Sequence, residues 1–359
     1  MKIGIVTHML FHNYGGILQN YALQQILIRL GHYPITIDYL PNQISKWHYF
    51  LAQCKTCCSY ILLNRSRKFF LYPQRKRNID FCKFMQKHLV LTETVKSYSS
   101  SIIKKNNIEA VIVGSDQTWR AAFYKSEILP DMYLRFMKNI SIPKIAYAAS
   151  FGVDYWEYSP DLTLKCGQLA KMFQAISVRE NSGIELCKEY LGVDAVEVLD
   201  PTLLLDKDDY EQLCLDIPHE QGKFILVYIL DMSPEKKVFI EALAQKMALP
   251  VKYYTSEKEI VLSIEEWLAM FRDASFVITD SFHGSVFSII YNKDFYSIIN
   301  EWRGGSRFYS LLSHFSLESR IVTDLTQIPD GEIDWNIVNK SRFQYQTESI
   351  QYLKDNLIN

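Results

Sequence analysis

The sequence predicts an α/β protein of two Rossmann-like domains that face each other across a cleft. Three observations carry this expectation. The chain has 359 residues, more than one ordinary core organises, so two domains are the default. Short apolar runs suited to buried parallel strands alternate with stretches of helical period along most of it. That alternation starts afresh after Pro201, which sets the division between the domains.

Lys2 to Thr7, KIGIVT, reads as a buried strand. Gly15 and Gly16 follow a short loop. Ile17 to Leu30 then has apolar residues at helical spacing (Leu18, Tyr21, Ala22, Ile26, Leu30), with Gly31 ending the helix. Ile35 to Tyr39 is a second strand, completing a strand-loop-helix-strand unit. A helical insert, about 41–107, interrupts the pattern. Strands resume at Ala110–Val113, Lys144–Ala149, Ala175–Val178 and Val196–Leu199, with a helix expected over Asn181–Leu191. In the second domain the strands are Phe224–Leu230, Val251–Tyr254, Phe276–Thr279 and Phe295–Ile299. Helices Pro234–Met247, Ile264–Arg272 and Gly284–Tyr291 lie between them. A polar helix, Ser341–Leu357, is expected to pack back across the junction. The expected division is 1–203, 204–330 and a tail of 331–359.

Composition narrows the function. The chain is 48% hydrophobic and 22% charged, the range of a folded protein rather than a disordered one. Its formal net charge of -1 argues against gripping nucleic acid along the whole surface. Met1 to Val6 reads as a strand rather than a secretory leader, and no apolar run is long enough to span a bilayer, so a cytoplasmic location is expected. Cys54, Cys57 and Cys58 form a C-x-x-C-C cluster without a second pair, and the expectation is unpaired thiols and no metal site.

Two such domains place ligands at the carboxyl ends of their strands. The sharpest local pattern is Thr279-Asp280-Ser281-Phe282-His283-Gly284-Ser285, which follows a strand and opens a helix. Backbone N–H groups there lack intrahelical partners and suit an anion. Ser281 and Ser285 add hydroxyls, Gly284 admits close approach, and His283 is the candidate acid or base. The competing reading is an N-cap beside a packed histidine. Arg303-Gly304-Gly305-Ser306-Arg307 puts two arginines around a glycine pair, suited to phosphate or carboxylate or else a solvated loop. Arg179 ends the strand AISVR, where a charge requires a partner or an anion.

In the first domain, Asn13, Tyr14 and Gly15 precede a helix whose first turn carries Gln19, and these suit sugar hydroxyls. Asp116 and Trp119, in VIVGSDQTW, suit a carbohydrate that bonds the carboxylate and stacks on the indole. A capping Asp and a packing Trp fit the same residues.

The chain resembles the polysaccharide pyruvyl transferase family over most of its length. The marks are GIVTHMLFHNYGGILQNYALQQILIRLGH, VIVGSDQTW, ISVREN, VLDPTLLL and TDSFHGSVFSIIYNKDF with RGGSRF, in that order. The resemblance implies a GT-B-like architecture and transfer of pyruvyl from phosphoenolpyruvate to a sugar. The product would be a cyclic ketal made during exopolysaccharide or capsule biosynthesis. It implies no cofactor and no metal. The family histidine falls on His283, and an important arginine on Arg179. The residues themselves give the rest of the expected site: His283 and Asp116 as catalytic candidates, Arg179, Ser281, Gly284, Ser285, Arg303 and Arg307 on the donor, and Asn13, Tyr14, Gly15, Gln19 and Trp119 on the acceptor. Some members carry R-L-H where this chain has Ser281-Phe282-His283, so either Arg303 or Arg307 supplies the missing cation or the donor is held differently. A nucleotide-sugar glycosyltransferase, with Glu301 on a ribose, and a non-catalytic glycan-binding scaffold are the alternatives.

From Pro41 to Ile79 the sequence has no Asp or Glu, while Arg65, Arg67, Lys68, Arg75, Lys76 and Arg77 crowd among aromatics. This composition suits peripheral contact with the inner membrane surface, where a lipid-linked sugar acceptor would be found. A helical insert packed on the first domain is the alternative.

Overall fold

The computed structural model describes residues 1–11, 13–41, 78–255, 261–299 and 304–357. Most of the basic, aromatic segment lies outside them, as do His12, Glu301, Arg303 and the C-x-x-C-C cluster.

The first domain contains β1 (Lys2–Val6), α1 (Tyr14–Arg29), β2 (Tyr33–Thr36), α2 (Ile79–His88), α3 (Ser100–Lys105), β3 (Ala110–Val113), β4 (Lys144–Ala149), α4 (Pro160–Ala170), β5 (Ala175–Val178), α5 (Asn181–Leu186) and β6 (Val196–Glu197). Its six strands run parallel in the order β2-β1-β3-β4-β5-β6. After α6 (Lys207–Glu211), the second domain contains β7 (Ile225–Ile229), α7 (Pro234–Met247), β8 (Val251–Thr255), α8 (Ile264–Asp273), β9 (Phe276–Thr279), α9 (Phe282–Ile290), β10 (Asp294–Ile298), α10 (Ser306–His314) and β11 (Ile321–Val322). Its sheet is also parallel, in the order β11-β10-β9-β7-β8. The final helix is α11 (Trp335–Asn356). The expected GT-B-like pair of Rossmann-like domains is what the chain forms.

Parallel strands need helical crossovers on both faces, so they read as continuous apolar runs. β3 and β4 are buried at every position. Each sheet reverses its order once, between β1 and β3 and between β7 and β9. These reversals open crevices at the carboxyl ends of the strands.

Several element boundaries differ from the sequence expectation. β2 ends at Thr36, because Tyr39 makes only an isolated bridge with Val95. The helix expected over Asn181–Leu191 is regular only to Leu186 and finishes as a π-helical turn, Cys187–Leu191. Gly192, at φ 64°, stops it. α11 starts at Trp335, well ahead of Ser341, because the Asp334 carboxylate caps it by accepting from the N–H groups of Asn336 and Ile337.

α11 joins the domains. Its Tyr352 hydroxyl donates to Ala146 O at 3.1 Å, and its Ser349 Oγ accepts from Leu199 N at 2.9 Å. Its Tyr345 ring lies 4.6 Å from the ring of His314 in the second domain. On another part of the junction, Tyr14 stacks on Trp267 at 5.3 Å and donates to Leu262 O at 2.8 Å. Burying one such aromatic is worth about 1.5–3 kcal/mol, so these contacts hold the cleft in one geometry.

Candidate active site

His283 sits in the first turn of α9, just past the end of β9. Ser281 caps that helix, its Oγ accepting from Gly284 N at 3.4 Å. The cap fixes the ring's direction, and the ring is buried against the first domain. A Cβ on Gly15 would fall inside the imidazole, so only glycine at the start of α1 lets the two domains meet there. His283 Nε2 lies 3.9 Å from Asp200 Oδ2, too long for a hydrogen bond. That nitrogen is buried with no hydrogen-bond partner among the described residues.

Asp200 organises the floor of the site. It follows β6 where the chain crosses between domains. Arg179 donates to its Oδ2 at 2.7 Å and Ser115 Oγ at 3.3 Å, and Gln19 Nε2 also donates to it. Thr202 occupies the other oxygen through N at 3.0 Å and Oγ1 at 2.6 Å. Arg179 also reaches Asp116 Oδ1 at 3.3 Å, and its Nε lies 3.9 Å from Glu180 Oε2. Glu180 Oε1 accepts from the N–H groups of Phe151 and Gly152, at 2.7 and 3.2 Å. Asp116 accepts from Asn13 Nδ2 at 3.0 Å and from Gln117 N at 2.9 Å. Its φ of 73° is a conformation that costs a non-glycine residue roughly 1–3 kcal/mol and concentrates at functional sites.

Phe282 lies between two guanidiniums. Arg179 stands over its ring at 4.7 Å and Arg307 at 5.2 Å. This is where the motif departs from R-L-H, and cations from β5 and α10 converge on the same point.

Burial opposes ionisation of Asp116, but Arg179, His8 and His283 together hold its carboxyl at about 2. Asp200 is also lowered, Arg179 and His283 outweighing burial. Burial works against the charge of Arg179, but Asp200, Asp116 and Glu180 more than offset it and raise its pKa. Glu180 is raised by burial in spite of Arg179. Burial pushes His283 down to about 4, with Asp200 opposing and Arg179 assisting, so the ring is neutral near pH 7. Burial, then Arg179, pushes Arg307 down to about 9. A cation destabilised in this way gains from an arriving anion.

The structure brings together His283, Asp116, Asn13, Gly15, Gln19, Arg179 and Arg307. Several assignments change. Arg179 has a fully buried side chain engaged by Asp200 and Asp116, so it holds those carboxylates in place and does not present itself to a donor. Gln19 is buried and bonds Asp200 and Ser115 from beneath rather than an acceptor. Trp119 is wholly buried, stacked on Tyr133 at 4.7 Å with Nε1 donating to Met132 O at 3.1 Å; it is core, not a sugar platform. Tyr14 is the interdomain bolt described above and offers its ring to Trp267. Ser285 is buried, its Oγ 2.6 Å from Ser297 Oγ and turned toward β10. Gly284 is required because a Cβ there would strike Thr279 Oγ1, a packing reason rather than ligand approach. Ser281 acts as a cap. Arg303 lies outside the described residues.

Sequence reading missed Asp200, Glu180 and His8. Asp200 had a visible sign, an acid directly after the strand in VLDP. Among the described residues, no group of three or more His, Cys, Asp or Glu side chains is placed to hold a metal ion.

The polysaccharide pyruvyl transferase family model matches residues 13–301. The chain belongs to the polysaccharide pyruvyl transferase family. The match includes Asp116, Arg179, Asp200 and His283 and stops short of Arg307. No curated protein sequence matches the chain. Among solved structures, it is similar to S. aureus MnaA in a co-structure with UDP, with a TM-score of 0.51 and 12% identity over 97% of this chain and 89% of that one. It is also similar to the N-terminal domain of Candida albicans trehalose-6-phosphate phosphatase, with a TM-score of 0.50 and 11% identity over 99% of this chain and 98% of that one. At these identities the likeness concerns the fold. Among the described residues, no helix is long and apolar enough to cross a membrane.

Proposed function

We propose that this family member transfers pyruvyl from phosphoenolpyruvate to a sugar during surface polysaccharide biosynthesis and closes it into a cyclic ketal. The observation that carries the reading is the convergence of a neutral His283, its Nε2 unclaimed among the described residues, and the cation Arg307 at the junction of the two domains.

Donor phosphate and carboxylate need cations, which Arg307 supplies, with Arg303 of the same sequence motif as a second candidate. His283 enters the reaction unprotonated. It therefore takes the proton of the first sugar hydroxyl and delivers it to the donor's methylene carbon. The hydroxyl oxygen adds to the carbon that bears phosphate, and phosphate departs. A second hydroxyl of the same sugar then closes the ring. Asn13 and Asp116 orient the acceptor, and Arg179 with Asp200 keeps Asp116 and His283 in register. The scheme uses no cofactor.

The acceptor is lipid-linked in this reading, and the basic, aromatic segment brings the enzyme to anionic headgroups of the inner membrane surface. Co-sedimentation with vesicles should then require anionic lipid, weaken at high salt, and fall on neutralising Arg75, Lys76 and Arg77. The reaction is tested by phosphate release from phosphoenolpyruvate across a panel of sugar acceptors. Release that depends on acceptor supports it, and its absence throughout the panel counts against it.

A further inference from the structure

Ketal formation removes protons from two hydroxyls of one sugar, and His283 accounts for only the first. The first sheet supplies a second imidazole. Val6 of β1 pairs with Val113 of β3, so His8, two residues past the end of β1, leaves the same end of the sheet as Ser115 and Asp116, just past β3. Thr7 Oγ1 donates to Ser115 O at 3.4 Å and holds the two strand ends together. His8 therefore stands where the sheet order reverses, the place where open α/β sheets bind ligands. Its ring is only partly buried. Nδ1 lies 2.7 Å from the Tyr124 hydroxyl, and the rings of Phe123 and Tyr124 pack at 5.9 and 5.5 Å. The hydrogen bond to Tyr124 and the two aromatic neighbours hold the ring's orientation, as proton transfer requires. Both imidazoles, His8 and His283, lie close enough to Asp116 to lower its pKa when they are protonated.

We propose that His8 contacts the acceptor sugar and takes the proton of its second hydroxyl. The inference rests on the pyruvyl-transfer reading above. After phosphate has left, the donor carbon is a cation bonded to the first sugar oxygen, a methyl group and a carboxylate. The second hydroxyl oxygen bonds to that carbon while His8 accepts its proton and passes it to the phosphate in the cleft. Of the two hydroxyl protons, one ends on the methyl group and one on phosphate. Donor and diol thus give ketal and hydrogen phosphate, with nothing oxidised or reduced.

Without His8 the cation has another exit. His283 can take back a methyl proton, leaving an enol ether on the first oxygen, an isomer of the ketal. The test compares the full-length wild type with His8→Ala and His8→Gln, using phosphoenolpyruvate and an acceptor that the wild type converts. Phosphate release and proton NMR of the product are both read. In the variants, phosphate release should stay within about tenfold of wild type while ketal formation falls by about 10²-fold or more. Vinyl protons should replace the ketal methyl signal. A purely structural role would not change the partition between isomers. Ketal as the sole product at near wild-type rate overturns the proposal. So does parallel loss of phosphate release and ketal in His8→Gln, whatever becomes of His8→Ala. A wild type that releases no phosphate with any acceptor overturns the pyruvyl-transfer reading itself, and the role of His8 with it.

Discussion

The imidazole of His283 lies against the main chain of Gly15, so a histidine of the second domain seats directly on the first helix of the first. The contact leaves no room for a methyl group. Gly15→Ala must therefore push the ring from its place or part the domains. Turnover should fall by about 10²-fold, the usual effect of displacing a catalytic group by an ångström. The loss of stability should be modest, about 1–3 kcal/mol. Steady-state kinetics beside a denaturant melt separate the two effects.

Arg179 is caged by carboxylates, and removing it leaves Asp116 and Asp200 buried without their cation. Arg179→Ala should cost about 3–5 kcal/mol of stability, measurable by urea unfolding. A variant with native stability and only a raised donor KM would show instead that Arg179 is a donor ligand.

The acid side of the stability profile should carry the signature of His283. Its folded pKa of about 4 lies below the ordinary histidine value, so the unfolded chain binds the extra proton first. The stabilisation is fully present above about pH 6.5 and is lost as pH falls toward 4, amounting to about 3 kcal/mol. Asp116, held at about 2, adds a further loss only below about pH 4. His283→Gln should flatten the upper of these two windows and, because the protonated His283 helps to hold Asp116 down, shrink the lower one as well. Unfolding free energies measured from pH 7 to pH 2 for both proteins check this.

Much of the fold is legible because parallel strands, covered on both faces, announce themselves as unbroken apolar runs. The site is legible where chemistry sits at a strand's end, as with Arg179 after AISV and His283 after FVIT. Its partners are not. The motif VLDP does not say that Asp200 will face Arg179 and Gln19, because those contacts join segments far apart in the chain. Trp119 reads as a platform for the same reason. The ring that covers it, Tyr133, comes from a 3₁₀ turn of the β3–β4 connection that has no strong sequence pattern. Tyr14 looks like a loop aromatic until α8 of the other domain supplies Trp267.

Asn13 and Trp119, both read at first as acceptor residues, should now separate. Asn13→Ala removes a hydrogen bond to Asp116 and should raise acceptor KM more than donor KM. Trp119→Ala should cost about 3–5 kcal/mol of stability as a core deletion. Kinetics and melts on the two variants give opposite patterns if Trp119 is core, and similar ones if it binds sugar.

The most direct measurement is phosphate release from phosphoenolpyruvate in the presence of a sugar acceptor, run with wild type and with His283→Ala. The account predicts one phosphate per ketal formed, with turnover falling by about 10²–10⁴-fold in the variant. Release of nucleotide from a nucleotide sugar, with none of phosphate from phosphoenolpyruvate, would contradict it.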